Sequence, residues 1–250
     1  NVLQLNWSHL EVPMGRRCAG LAAWEFLNAL NTSSITHVDL NCAGLKTLDL
    51  EQIESMRSSL VEIDLSNNAW ETKGWGTTPC PSSVCGNVSG VVAGKPISKL
   101  WATLATLGSL KSFAMESASL GDEHFSLANA IFINESLVAP HTHTSFDAFR
   151  VAGNRVLALD WSTAITEHAL RPPLWLAMQL ASSLQTMLLN GQQYEGSGSD
   201  FLHALCSASG SLSQFQFSMA FRATTIIPPC FWQLTSLHTL ISKRDFKDDP

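Results

Sequence analysis

An α/β chain of stacked repeats, each supplying one short strand to a parallel array, is the fold this sequence predicts, and three observations carry the prediction. One apolar spacing returns at least six times in the same phase. Within each return the fourth and sixth places are apolar and their neighbours are mostly polar, the period of a strand with one buried face. The connecting segments are of two kinds, one with the spacing of a helical face and one broken by prolines.

Taken in order, Val2 to Leu10 reads as the fourth to eleventh places of a repeat whose first residue is missing. With no initiator Met, the chain is expected to be a fragment. Clear copies begin at Ile35 (Ile35, Val38, Leu40, Ala43, Leu45), Leu60 (Leu60, Ile63, Leu65, Asn68, Trp70) and Leu110 (Leu110, Phe113, Met115, Ala118, Leu120). Others begin at Phe146 (Phe149, Val151, Asn154, Val156), Leu184 (Met187, Leu189, Gln192, Tyr194) and Leu212 (Phe215, Phe217, Ala220), with a weaker start at Leu237. The first six starts lie 25, 50, 36, 38 and 28 residues apart. The 50-residue interval reads as one repeat carrying an insertion near 71–99, a stretch rich in Gly, Pro, Ser and Thr that should project without joining the strands. At the third framework place, Asn68 and Asn154 can bond the backbone of the turn leaving the strand.

This pattern resembles the leucine-rich repeat family, whose basic unit is about 20–29 residues. The resemblance implies a curved solenoid, one domain over residues 1–250 with about seven or eight irregular repeats. The return from Gly121 to Ile131, with Phe125, Leu127, Ala128 and Ile131 able to share a helical face, looks like the ribonuclease-inhibitor type. The return from Ile227 to Leu237, with Pro228 and Pro229, resembles the extended, short return of plant receptor-type repeats.

The 250 residues are 45% hydrophobic and 14% charged, enough to bury a substantial core as one stack. A net charge of −6 and the lack of a basic stripe argue against a nucleic-acid or anionic-membrane surface. Six cysteines and four Asn-x-Ser/Thr sequons, at Asn6, Asn31, Asn87 and Asn134, point to an extracellular or cell-surface protein, with a cytoplasmic one the alternative. Cys80 and Cys85 read as a local disulfide pinning the insertion, or else as two free thiols. The spacing of His141 and His143 is that of a polar loop more often than of a metal site; neither metal nor cofactor is expected. Phosphate-binding glycine loops, nucleophile elbows and His-Glu-x-x-His are missing from the sequence.

Recognition residues are sought beside the strand framework, where parallel stacking sets equivalent positions side by side. The place between the fourth and sixth residues holds Gln4, Asp39, Asp64, Ala114, Arg150, Leu188, Gln216 and Ile241. Neighbouring places add Glu62 and Glu116 to an acidic first half, Asn190 to a neutral middle and Lys243 to the far end. A merely solvated face accounts for the same residues. The expectation is a non-catalytic module binding a protein, peptide or glycan there. The rivals are an intracellular adaptor or inhibitor, and a hydrolase whose chemistry lies in the insertion or beyond the fragment.

Overall fold

A segment that buries every second residue must pair its backbone laterally, and the period-two segments of this chain do so as parallel strands. A computed structural model describes residues 3–6, 34–79, 94–138, 148–161, 174–190, 202–203, 205–206, 210–218 and 227–243. In chain order the elements are β1 (Leu3–Asn6), β2 (Ile35–Asp39), α1 (Leu50–Ser55), β3 (Glu62–Asp64), β4 (Thr77–Pro79), β5 (Pro96–Ser98), α2 (Lys99–Ala105), β6 (Ser112–Ala114), α3 (Leu127–Phe132) and β7 (Ala148–Arg150). They continue with β8 (Ala158–Trp161), α4 (Leu174–Leu180), β9 (Thr186–Asn190), β10 (Gln214–Ser218) and β11 (Thr239–Lys243). The class is α/β with parallel sheets. The chain divides into two compact units, Asn1–Leu120 with Phe132–Arg155 and Gly121–Ile131 with Val156–Pro250.

In the first unit the sheet order is β1-β2-β3-β6-β7, parallel at every described pairing. Fourth-place residues Val38, Ile63, Phe113 and Phe149 are successive partners and all buried. Sixth-place residues Leu40, Leu65, Met115 and Val151 are buried as well. Trp101, brought in by α2, packs its ring 6.1 Å from Phe113 and 5.9 Å from Phe149. That helix buries Leu100, Trp101 and Leu104, the spacing of one helical face. Helix α1 starts where Asp49 Oδ1 accepts the Gln52 N–H at 2.9 Å, a side-chain cap, and it buries Ile53.

The repeats also share a turn. Beyond each strand the pairing continues for two more residues, through Leu40 N–H to Asp64 O and Cys42 N–H to Ser66 O, then Leu65 to Ala114 and Asn67 to Glu116, then Met115 to Arg150 and Ser117 to Ala152. Cys42, Asn67, Ser117 and Gly153 fall at one place in successive copies, and all are left-handed, with φ of 54°, 57°, 49° and 69°. Only the fourth copy uses glycine. A Cβ on Gly153 would meet Ser117 Oγ at 2.6 Å, so a side chain there requires the Ser117 hydroxyl to turn away as well as the left-handed φ.

The insertion differs in part from expectation. β3 pairs directly with β6, and β4 and β5 form a separate antiparallel pair, outside the parallel sheet. Its feet are nevertheless packed, with Trp75 and Ile97 buried, because these two residues supply apolar surface that the Gly/Ser-rich middle lacks. Cys80 and Cys85 lie outside the described residues.

In the second unit the order is β11-β10-β9-β8, again parallel. Leu159, Met187 and Phe215 form the buried column, Trp161 and Leu189 the next, while Leu240 on the edge strand is 39% exposed. Strand β8 is not expected from the sequence. Its first place, Val156, is also the last place of the preceding copy, so one buried residue serves both. The Gly121 return is a 3-10 turn at Asp122–Phe125, followed by α3 and a π-helical turn at Ile133–Val138. Ser126, at ψ 159°, interrupts it, so the continuous helical face expected from Phe125 to Ile131 is broken after Phe125. The Ile227 return is likewise not extended: Pro229–Gln233 is a 3-10 turn, which tolerates proline in its first position and buries Phe231.

Candidate functional site

Register decides which polar residues can meet one ligand. In the first unit Asn6, Asp39, Asp64, Ala114 and Arg150 are successive partners, and Gln4, His37, Glu62, Ser112 and Ala148 form the row beside them. The sequence places Gln4 in the first row. A register shift between Leu3 and Gln4 sets Leu5 against Val38, so Asn6 takes that place instead.

The acidic residues have two roles. Asp39 Oδ1 accepts the Asn41 N–H at 3.0 Å, and Asp64 Oδ1 accepts the Ser66 N–H at 2.8 Å. Each carboxylate thereby closes the turn leaving its own strand, a use of aspartate common in tight turns. Glu116 approaches Arg150 Nε at 3.8 Å with both about half exposed, a pair that stabilises by at most about 1 kcal/mol. It balances the charge of Arg150, leaving Asp39, Glu62 and Asp64 as the net negative patch.

His37 adds a residue that sequence reasoning missed. Its Nε2 is 3.9 Å from Glu62 Oε2, and its Nδ1 is 2.9 Å from Thr36 Oγ1. The partners are one repeat apart, so no short motif announces them. At 3.9 Å the contact is an ion pair when the ring is protonated and too long for proton relay, so Thr36, His37 and Glu62 do not make an activated hydroxyl.

In the second unit Asp160, Leu188, Gln216 and Ile241 share one row, and Asn190, Ser218 and Lys243 share another. Gln216 is thus two places from Asn190 and Lys243 along the strands, on the same pleat phase. Asp160, exposed on the unexpected strand β8, joins the set.

On the return of this unit, Asp122 Oδ1 accepts the N–H groups of Leu157 at 2.7 Å and Ala158 at 3.1 Å, fixing the entry to β8. His124 beside it is buried, and its Nδ1 accepts the Gly121 N–H at 3.3 Å when the ring carries its proton on Nε2. Burial holds the imidazole below the usual histidine pKa, against the opposing pull of the Glu123 carboxylate. The unfolded chain, titrating near 6.5, therefore binds the proton first as pH falls. His124 contributes full stability above that value and loses it on acidification toward the lower folded pKa. Urea midpoints at pH 7.5 and 5.5 should differ more for the native protein than for His124→Asn, which keeps an acceptor but cannot titrate.

A groove of about 690 Å³ opens between α1 and α2, lined by Asp49, Glu51, Glu54, Trp75, Lys99 and Thr103 among others. No sequence motif marks it. Asp49 is already engaged as the cap of α1.

Of the sequons, Asn6 ends β1 and Asn134 is half-buried in the π-helical turn, between buried Ile133 and Leu137. Asn31 and Asn87 lie outside the described residues, as do His141 and His143. Among the tryptophans, Trp70 and Trp101 are core while Trp232 is 64% exposed. Among the described residues no cluster of three or more His, Cys, Asp or Glu side chains could hold a metal ion. No described helix is long and apolar enough to cross a membrane.

No protein-family model matches this chain, and comparison with curated proteins finds no match.

Proposed function

We propose that this chain is a non-catalytic recognition module, a leucine-rich repeat solenoid of the extracellular or cell-surface kind, binding a protein, peptide or glycan on the open face of its parallel strands. The observation that carries the reading is the register of the first sheet. The same two places beside the buried framework recur, strand after strand, as partnered rows that hold Asp39, Glu62 and Asp64. Like charges one strand spacing apart repel, so the cluster favours a cationic group that would relieve the repulsion. Support for the repeat reading comes from the left-handed place shared by Cys42, Asn67, Ser117 and Gly153, since a turn reproduced four times is a property of a repeat. The framework sequence favours no nucleic-acid partner, and no metal or cofactor enters the proposed mode of binding.

Neutral substitutions test the face better than charge reversal, because a reversed side chain would also lose the turn bonds at Asp39 and Asp64. Asn at either place keeps an oxygen for the turn N–H. Against a panel of lysine-rich, neutral and acidic peptides, the native protein should prefer the cationic members. Asp39→Asn with Glu62→Gln and Asp64→Asn should slow their association by roughly tenfold at low salt, with little change at high salt. Equal association rates for native and triple-variant protein would leave the rows as ordinary solvated surface. Asp122 is unsuited as a silent control, since it fixes the β8 entry; Glu51 on α1 serves instead. A second reading, an intracellular adaptor, is favoured by the helical segment Leu127–Phe132. Enzymatic release of a glycan from Asn31 or Asn134, read as a mass change, would exclude it.

A further inference from the structure

Cys18, Cys42, Cys206 and Cys230 read from sequence as small buried residues, but Cys42 is exposed and Cys206 and Cys230 are half-buried, while Cys18 lies outside the described residues. Leu202 and Leu205 are helical and buried, three residues apart, and turn their helical neighbours His203 and Cys206 to an adjoining side, where His203 is exposed and Cys206 half-buried. Cys230 comes to them from the 3-10 turn Pro229–Gln233, which is anchored by buried Phe231 packed edge-on against Phe215 at 5.6 Å. Its Sγ is 3.8 Å from His203 Nδ1, and Cys206 follows His203 by three residues, one helical turn along the side that Cys230 approaches. A base, a thiol and a second thiol thus stand in line, from segments 24 residues apart at the two sulfurs.

We propose that Cys206 and Cys230 are a redox-active dithiol, converted to a disulfide by small-molecule disulfides, with Cys230 the attacking thiol and His203 the group that takes its proton. Cys230 has the imidazole beside it to take its proton and so reacts first, while burial and the neighbouring Cys230 push the Cys206 thiol up to about 12. His203 takes the Cys230 proton; the thiolate attacks one sulfur of RSSR, the S–S bond breaks, and the departing RS⁻ leaves as RSH with the imidazolium proton. The imidazole then takes the Cys206 proton. Cys206 sulfur attacks Cys230 Sγ, the mixed disulfide breaks, and a second RSH leaves. The protein dithiol gives up two electrons and two protons, and RSSR receives both. The new bond fastens the Pro229–Gln233 turn to the helical residues around Leu205.

Oxidised glutathione added to the native chain, with acid quenching and non-reducing peptide mapping by mass spectrometry, tests this. A Cys206–Cys230 linked peptide is expected. Cys206→Ser should accumulate glutathione on Cys230, and Cys230→Ser should leave Cys206 unmodified on the same timescale. His203→Gln should slow the reaction roughly tenfold or more at pH 7 and much less at pH 9, where hydroxide replaces the base. Circular dichroism checks that each variant is folded. Where one is not, the linkage pattern of the native chain is compared with that of the urea-unfolded chain, whose six cysteines should pair by loop length, Cys80 with Cys85 most readily. No 206–230 linkage in the native chain, first attack by Cys206, or a His203→Gln rate equal to native at both pH values would overturn the proposal.

Discussion

Replacing Leu65 with Asp is expected to unfold the first sheet. Leu65 is fully buried, with partners above and below it in the Leu40, Met115 and Val151 column, and its carbonyl already accepts the amide of Asn68 and the indole N–H of Trp70, both at 3.0 Å. The substitution removes about 1.5–3 kcal/mol of leucine burial. It also places a carboxylate where nothing compensates it, a further cost of several kcal/mol. Against a total stability of about 5–15 kcal/mol, that sum removes most of the folded population. Urea denaturation followed by circular dichroism reads it. Ala69→Asp, four residues along and exposed, is the control and should stay within about 0.5 kcal/mol of native. Leu65→Asp melting with the native protein would mean that the buried column does not hold the sheet together.

The buried columns were legible because a strand with one wet face writes its period into the sequence. Val38 and Leu40, Ile63 and Leu65, Phe113 and Met115 carry that period, and all are buried. Strand β8 hid because its start, Val156, closes the previous copy, and because Trp161 stands where an aliphatic residue is the usual signal. The left-handed turn place hid for a different reason. Only Gly153 advertises it, while Cys42 and Ser117 adopt the same φ at a conformational cost that composition does not display. Of the candidate site, the row through Asp39, Asp64 and Arg150 follows from phase alone. The partners of that row do not: His37 meets Glu62, Asp122 meets Leu157 and His203 meets Cys230 at separations of 25 to 35 residues, set by stacking and invisible to local pattern.

Asn154→Leu should cost more than any surface change in the first unit. The Asn154 amide donates to Met115 O at 2.8 Å and Val151 O at 2.7 Å, and its Oδ1 accepts the N–H groups of Ala118 at 2.9 Å and Leu120 at 3.1 Å. Three of those four partners belong to the preceding copy, whose own framework place holds Ala118. Asn68 does the same for the copy holding Ala43, donating to Leu40 O at 2.8 Å and accepting Leu45 N–H at 3.1 Å. The alanines are therefore tolerated because the next repeat's asparagine serves their turns, which is why only every second described copy of this sheet needs one. Leucine keeps the branched shape, though it is larger, and leaves buried backbone groups unpaired, each worth about 1–3 kcal/mol, so a loss of roughly 3–6 kcal/mol is expected. Aspartate is no rescue: it keeps the acceptor but turns an oxygen toward Met115 O and Val151 O. Asn154→Leu and Asn68→Leu should each lower the urea midpoint strongly, whereas exposed Asn67, whose amide donates to Asn41 Oδ1 at 2.9 Å in an exposed pair, should tolerate Gly with little change at its left-handed φ of 57°. Leucine at 154 that melts with the native protein would show that the turn of the Ala118 copy satisfies its own backbone, and the repeats would then be held by apolar contact alone.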